Sequence, residues 1–263
     1  MSGDGTVGKA LDVLEQVAAY GKPVRFATLL AESQFPKATL YRFLQTLTSQ
    51  GMLAYDPHHQ TYTLGVRLLR LAHAAWTQSS LAPIARPFID RLSAETGQTV
   101  HLAQLDHAQV LYVDKRNAAK PVEMFSAAGK VGPAYCTGVG KAMLAFLPEP
   151  ELAKALAQQS FHRFTDNTYT TPETLCAELE EIRKRGYAFD REEHEPGIVC
   201  IAQPILTERR RLLGAMSVTG ALSSTTLEEL EHLVPRLART AQAIADEAQA
   251  WRFPDTHFQH MRA

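Results

Sequence analysis

The 263-residue sequence predicts an α+β chain of two domains. Three observations predict it. A run of helical apolar repeats gives way to a two-residue period just after Gly51. From about residue 80 onward, helical and strand patterns alternate, and hairpin turns lie between the strands. The length suits about two domains of ordinary size, and 45% hydrophobic residues can fill two cores.

In the first domain, Val7, Ala10, Leu11, Leu14, Val17 and Ala18 repeat with helical spacing, Thr6 is placed to cap the start, and Gly21 follows the end. Lys22 to Arg25 read as a brief extended piece, and a short helix from about Phe26 to Ser33 presents Leu29 and Leu30. After the turn at Gln34-Phe35, Leu40, Phe43, Leu44 and Leu47 line one side of a further helix, with Pro36 at its first position and Gly51 past its end. Lys37, Thr39, Tyr41, Arg42 and Gln45 lie mostly off that seam. They combine positive charge with side chains able to hydrogen-bond phosphates or base edges. Leu53 and Tyr55, the loop Asp56 to Gln60, then Tyr62 and Leu64 describe a β-hairpin. A hairpin directly after a polar third helix is the winged helix-turn-helix pattern, whose last helix enters the major groove of duplex DNA. This domain is expected over residues 1–65. Val66, Leu69, Ala72, Ala75 and Trp76 mark a linker helix over 66–79, with an apolar face that suits either its own domain or a second subunit.

The second domain is expected over 80–253, with 254–263 as a tail. Ile84, Phe88, Ile89 and Leu92 mark a helix that ends at Gly97. Val100 to Leu105 and Val110 to Val113 flank the turn Asp106-His107-Ala108, and Val122 to Phe125 read as a third strand. A helix starts at Thr171-Pro172 and stops at Gly186. Tyr187 to Asp190, Cys200 to Leu206 and Leu213 to Thr219 read as further strands, with a charged turn at Glu208 to Arg211. Leu227, Leu230, Leu233, Val234, Leu237, Ala241 and Ile244 form one long final helix. The expected result is an antiparallel sheet with helices on its faces.

Charge and cysteine content narrow the function. The net charge of −1 excludes a basic nucleic-acid coat. Residues 1–70 hold seven Lys+Arg against five Asp+Glu, and the remainder twenty against twenty-three, so the positive field is weak and sits at the front. Specificity must come from a few placed contacts and from doubling. Cys136, Cys176 and Cys200 form no C-x-x-C pair. With no signal peptide and no long apolar run, the cytoplasm is the expected compartment and no membrane is a partner.

Two stretches could carry chemistry. In Gly132 to Ala142 the glycines beside a helix start would let backbone N–H groups approach an anion. A nucleotide P-loop would need glycine at Tyr135 and a hydroxyl at Ala142, so a carboxylate is the better guest. Alternatively, these glycines only permit a tight loop. In Phe189 to Ala202 an acidic cluster runs through a turn into a strand. An enzyme would use Cys200 as nucleophile, His194 as base and Glu192 as its orienter. However, a strand cysteine between Val199 and Ile201 is usually a small buried hydrophobe. His257-x-x-His260 has metal-ligand spacing but sits in the polar tail, and His101 reads as a packed strand histidine able to reach a bound molecule. No catalytic residue, metal or cofactor is expected.

The segments Pro36 to Leu44, Tyr135 to Ala142 and Asp190 to Ala202 resemble the IclR family of bacterial transcriptional regulators, and the resemblance spans nearly the whole chain. It implies an N-terminal winged helix-turn-helix, a linker helix and a GAF-like effector domain. It also implies dimers through the DNA-binding part and, often, dimers of dimers. Ala38 stands where the family usually has serine, which removes one possible phosphate contact. By the same resemblance, Gly138 and Val139 offer backbone N–H groups to an effector carboxylate, and Asp190 accepts from a hydroxyl or holds a nearby donor. Ile198 and Cys200 line the wall. Ser217 and Thr219, which alternate on one strand and so point the same way, hydrogen-bond the ligand. Leu40 to Leu47 and Thr99 to Leu102 resemble in particular the repressors of 2-keto-3-deoxygluconate and related sugar-acid catabolism. The implied function is a repressor that binds a pseudo-palindromic operator and is released by a small sugar or keto acid. An activator that senses an aromatic acid, an adaptor that binds no DNA, and a sugar-acid enzyme carrying a DNA-binding domain are the alternatives.

Overall fold

The computed structural model describes residues 5–118 and 124–249. The chain divides between Gln78 and Ser79 into two compact units. In the first unit, α1 (Thr6–Ala19), α2 (Phe26–Glu32) and α3 (Lys37–Ser49) pack around Val13, Val17, Leu29, Leu40, Leu44 and Leu47. Gly5 rather than Thr6 precedes α1, without a side-chain cap, and Pro36 stands just before α3 rather than inside it. Proline suits that place because it has no N–H to leave unpaired. The hairpin is β2 (Leu53–Asp56) with β3 (Thr61–Leu64). Asp56 fixes its loop by accepting the N–H groups of His58 and His59 at 2.8 and 3.4 Å. The extended piece before α2 becomes β1 (Val24–Arg25), so the small sheet has the order β1-β3-β2. The fourth helix, α4 (Val66–Ser79), leaves Val66 and Leu69 71% exposed.

The second unit is one six-stranded antiparallel sheet. Its strands are β4 (Thr99–Asp106), β5 (Gln109–Arg116), β6 (Val131–Pro133), β7 (Ala188–Arg191), β8 (Ile198–Leu206) and β9 (Leu212–Ala221), in the order β6-β5-β4-β9-β8-β7. His107 and Ala108 both adopt positive φ in the two-residue β4–β5 turn, the geometry that matches the strands' twist. The helices are α5 (Ala82–Thr96), α6 (Gly138–Leu144), α7 (Glu149–Ala157), α8 (Pro172–Arg185), α9 (Leu227–Glu231) and α10 (Val234–Glu247). α5 packs on β4 and α10 on β8, while α6 lies against β7, β8 and β9.

Two expectations of secondary structure need correction. Within the third strand expected at Val122 to Phe125, Val122 and Glu123 lie outside the described residues, and Met124 and Phe125 are not in a strand. The edge position is taken by β6, which pairs Val131–Pro133 with Leu111–Gln109. The single final helix is two, α9 and α10, because Pro235 cannot donate to the previous turn and crowds it. Its start is well fixed by Thr226 and Glu229, which cap each other reciprocally. Helix α7 carries no strong periodic signal and is an addition. The tail at 254–263 and His257-x-x-His260 lie outside the described residues.

Candidate nucleic-acid interface and ligand cavity

Helix α3 separates its two faces cleanly. Leu40, Phe43, Leu44 and Leu47 are buried, while Lys37, Tyr41, Arg42 and Gln45 are exposed and Thr39 is half-buried. The Tyr41 ring meets Phe26 of α2 edge-on at 6.1 Å, and the Arg42 guanidinium sits 6.0 Å from the ring of Phe43 on its own helix. The end of α3 is tied to α4. Arg67 donates to the Gln50 carbonyl and side-chain oxygens at 2.9 and 3.0 Å. Gly65 presses so closely on Gly51 that a Cβ would lie 2.1 Å from the Gly51 oxygen.

In the sheet unit, register assembles the second site. Asp190 on β7 pairs with Cys200 on β8, which pairs with Thr219 on β9, and two residues along β9 Ser217 pairs with His101 on β4. Ile198 is two residues from Cys200, and so lies on the same face. Helix α6 descends onto that face. A Cβ on Gly138 would lie 2.4 Å from Cys200 Sγ and 3.5 Å from Asp190 Cβ, so glycine is required there for the close approach. Gly138, Val139, Asp190, Ile198, Cys200, Ser217 and Thr219, the seven residues expected at the ligand site, all line one cavity of about 30 Å³. It is closed by residues not assigned from the sequence, among them Tyr112, Met124, Ser126, Thr137 and Glu195, together with His101 and His194. A larger groove of about 620 Å³ elsewhere on the unit contains none of the expected residues, and its charged side chains, Glu151, Lys154, Arg210 and Arg211, are exposed.

The cavity is electrostatically unusual. His101 is buried, with Nε2 2.7 Å from Ser126 Oγ and Nδ1 3.1 and 3.3 Å from the hydroxyls of Thr219 and Ser217. Burial, helped by Lys115, pushes its pKa down to about 3, so the ring is neutral. Asp190 accepts the Glu193 N–H at 2.9 Å and also the Gly138 N–H. Burial raises its pKa, and Lys141 and those N–H groups do not cancel the rise. The Gly138 N–H expected to meet a ligand is therefore already engaged by the protein's own carboxylate. Behind it, fully buried Lys141 on α6 pairs with Glu193 and lies 4.8 Å from the Tyr169 ring. Burial lifts Glu193 to about 7 against the pull of Lys141. Glu195 is the opposite case. Burial raises it, but His194 and the Phe125 N–H outweigh burial and leave it below the usual range.

The geometry does not assemble a nucleophilic cysteine site. Burial holds the Cys200 thiol protonated, with its pKa raised well above the ordinary value. Glu192 accepts the Gly197 N–H at 2.6 Å instead of orienting a histidine, and His194 packs on Phe125 and Phe164. Among the described residues no group of three or more His, Cys, Asp or Glu could hold a metal ion, and no helix is long and apolar enough to cross a membrane.

The model of the IclR helix-turn-helix domain matches residues 6–57, and that of the bacterial transcriptional regulator IclR C-terminal domain matches 73–246. The chain belongs to the IclR family. It is thus a DNA-binding transcriptional regulator with an N-terminal helix-turn-helix and a C-terminal α+β domain. Among IclR relatives, KdgR of Escherichia coli, an HTH-type transcriptional regulator, is 29% identical over 95% of this chain and 95% of its own length. The crystal structure of the Thermotoga maritima IclR protein is 29% identical, covers 92% of this chain and 98% of its own, and superposes with a TM-score of 0.73. An IclR homologue from Microbacterium hydrocarbonoxydans, crystallised with 4-hydroxybenzoate, shares the fold with a TM-score of 0.80. It is 22% identical and covers 94% of this chain and all of its own.

Residues close in sequence signalled the α3 surface. The cavity's other members were hidden for a plain reason. His101 and Tyr112 meet through sheet register, Ser126 and Glu195 arrive from loops, and no local spacing marks them. Lys141 and Glu193 are 52 residues apart.

Proposed function

We propose that this IclR-family regulator is a repressor controlled by a small carboxylic acid. Lys37, Thr39, Tyr41, Arg42 and Gln45 contact a pseudo-palindromic operator from the major groove. Gly138, Val139, Asp190, Ile198, Cys200, Ser217 and Thr219 hold the acid in the domain that follows the linker helix. The chain works in the cytoplasm as a dimer or dimer of dimers, and the exposed apolar residues Val66 and Leu69 on α4 give one subunit a surface to offer another. The observation that carries the reading is the convergence of all seven expected ligand residues, from α6, β7, β8 and β9, on one cavity. Its free space of about 30 Å³ is near that of one water, so an acid enters by displacing lining side chains. Bound and free cavities then differ, and only such a difference lets a ligand shift DNA affinity, by couplings of typically 1–3 kcal/mol. A sugar or keto acid is the proposed ligand, and an aromatic acid is the comparison.

Selection of bound duplexes from a random library should return two half-sites about one helical turn apart. A thermal-shift screen of small acids should return one that raises the Tm and releases that duplex. Asp190→Ala should blunt the release and leave ligand-free DNA binding intact. No specific duplex, or a stabilising acid without effect on DNA, would overturn the reading.

A further inference from the structure

The cavity is short of positive charge. Among the described residues its lining holds two carboxyl groups, Asp190 and Glu195, two imidazoles, and no lysine or arginine. The neighbouring cations are already engaged: Lys141 pairs with Glu193, and Lys115 donates to the Ser126 carbonyl at 2.8 Å. The His101 ring nitrogens are both in hydroxyl contacts. The Gly138 and Glu193 N–H groups serve Asp190. An acid that entered as an anion would set a second carboxylate against the buried Asp190. Two carboxyl groups sharing such a site hold a proton between them.

We propose that the cavity takes its acid together with one proton, shared between the ligand carboxyl and Asp190, and so selects hydroxylated monocarboxylic acids bound as net-neutral species. The proposal rests on the effector reading above and deepens it. The proton comes from solvent, and no bond other than that O–H forms or breaks. The hydroxyls of Ser126, Thr137, Ser217 and Thr219 suit a ligand's own hydroxyl and keto groups. A phosphate ester or a dicarboxylate would bring a second charge with no cation in the lining to meet it.

Asp190 is faced by Lys141 from α6, by Glu193 and His194 from the loop after β7, by Cys200 from β8, by Tyr112 from β5 and by Cys136 from the segment before α6. Burial keeps the two thiols and the phenol protonated at neutral pH. Glu193, lifted to about 7 by burial, is the other carboxyl able to bend a binding profile near neutrality, and the variant below separates it from Asp190.

The test is calorimetric titration of the full chain with D-gluconate, 2-keto-3-deoxygluconate and 4-hydroxybenzoate from about pH 5 to about pH 9. For an acid that binds, Kd should stay level at low pH. It should then rise about tenfold per unit once the pH passes the point where free Asp190 ionises. Asp190→Asn keeps the shape but cannot hold that proton, so its Kd should not rise. The neutral carboxamide of the same acid should bind the unaltered protein without the rise, which keeps the test open even if Asp190→Asn folds poorly. A flat profile for the acid, a rise that survives in Asp190→Asn, or tighter binding of 6-phosphogluconate than of D-gluconate overturns the proposal and leaves the effector reading standing. If no acid binds at any pH, the effector reading itself falls.

Discussion

The outer face of α3 and the cavity over β7, β8 and β9 hold their polar side chains under opposite conditions. On α3, Tyr41 is 52% exposed, and Lys37, Arg42 and Gln45 stand in solvent around a well-packed seam. In the cavity, His101 and Ser217 are at most 3% exposed, and each polar group is tied to another. A surface that waits for a charged polymer gains most of its energy from phosphates on arrival, and each contact adds to the next nearly independently. A cavity for a small molecule must satisfy its own polar groups before the ligand comes, because an unpaired buried group is costly. Changes on α3 should therefore stay local, and changes in the cavity should spread.

The largest effect expected from this contrast is at Lys141. The ammonium is fully buried and pairs with Glu193, whose N–H in turn holds Asp190. Lys141→Met leaves Glu193 as a buried carboxyl without its cation, which should cost about 3–5 kcal/mol in urea unfolding. Lys141→Met with Glu193→Met removes both charges and should recover much of that loss. If the double variant is as unstable as the single one, the cost lies in packing and the contrast weakens.

Arg42→Ala comes next and should behave oppositely. If Arg42 reads a base edge, operator binding should weaken by about 1–3 kcal/mol. Urea stability and acid binding should stay as they were, because Arg42 leans only on Phe43 of its own helix. Operator titrations by anisotropy give the first quantity. An unchanged affinity and footprint would remove Arg42 from the reading surface.

The same contrast explains what the sequence made legible. The polar face of α3, the hairpin after it, the two-residue turn at His107-Ala108 and the caps of α8 at Thr171 and Gly186 are written in residues a few positions apart. The cavity is not written that way. The family resemblance supplies all seven expected residues, and period-two spacing on its own shows only that Ser217 and Thr219 point the same way. His101 lies 116 residues from the serine it meets. Pro235 is a local signal that should have split the final helix, because apolar spacing continues across a break whenever both pieces face one core. The edge strand was misplaced because Val131–Pro133, at three residues, is too short to show a period.

The smallest effect, in the acid limb, sharpens the comparison most. His101 is held down to about 3, so below the ordinary histidine value of 6.5 the unfolded chain takes a proton that the native cavity refuses. Its contribution is present above pH 6.5 and is lost as the pH falls towards about 3. Glu193 works against it. Its folded value of about 7 lies above the ordinary 4.5, so its contribution is full below 4.5 and is lost as the pH rises through about 7. Asp190, also raised, has the same sign. Between pH 4.5 and 6.5 the two trends oppose each other, each by at most about 1.4 kcal/mol per pH unit for one proton. The histidine and the carboxyls partly offset each other, so the urea midpoint of the unaltered sheet unit should move less across that window than that of a variant lacking one of them. Glu193→Gln should expose the histidine, so that stability falls on acidification, and His101→Gln should expose the carboxyls, so that stability rises. Arg42→Ala should move neither slope. Equal slopes in both cavity variants would mean that the two groups do not titrate as opposed buried charges, and the cavity would then resemble the α3 surface more than its burial implies.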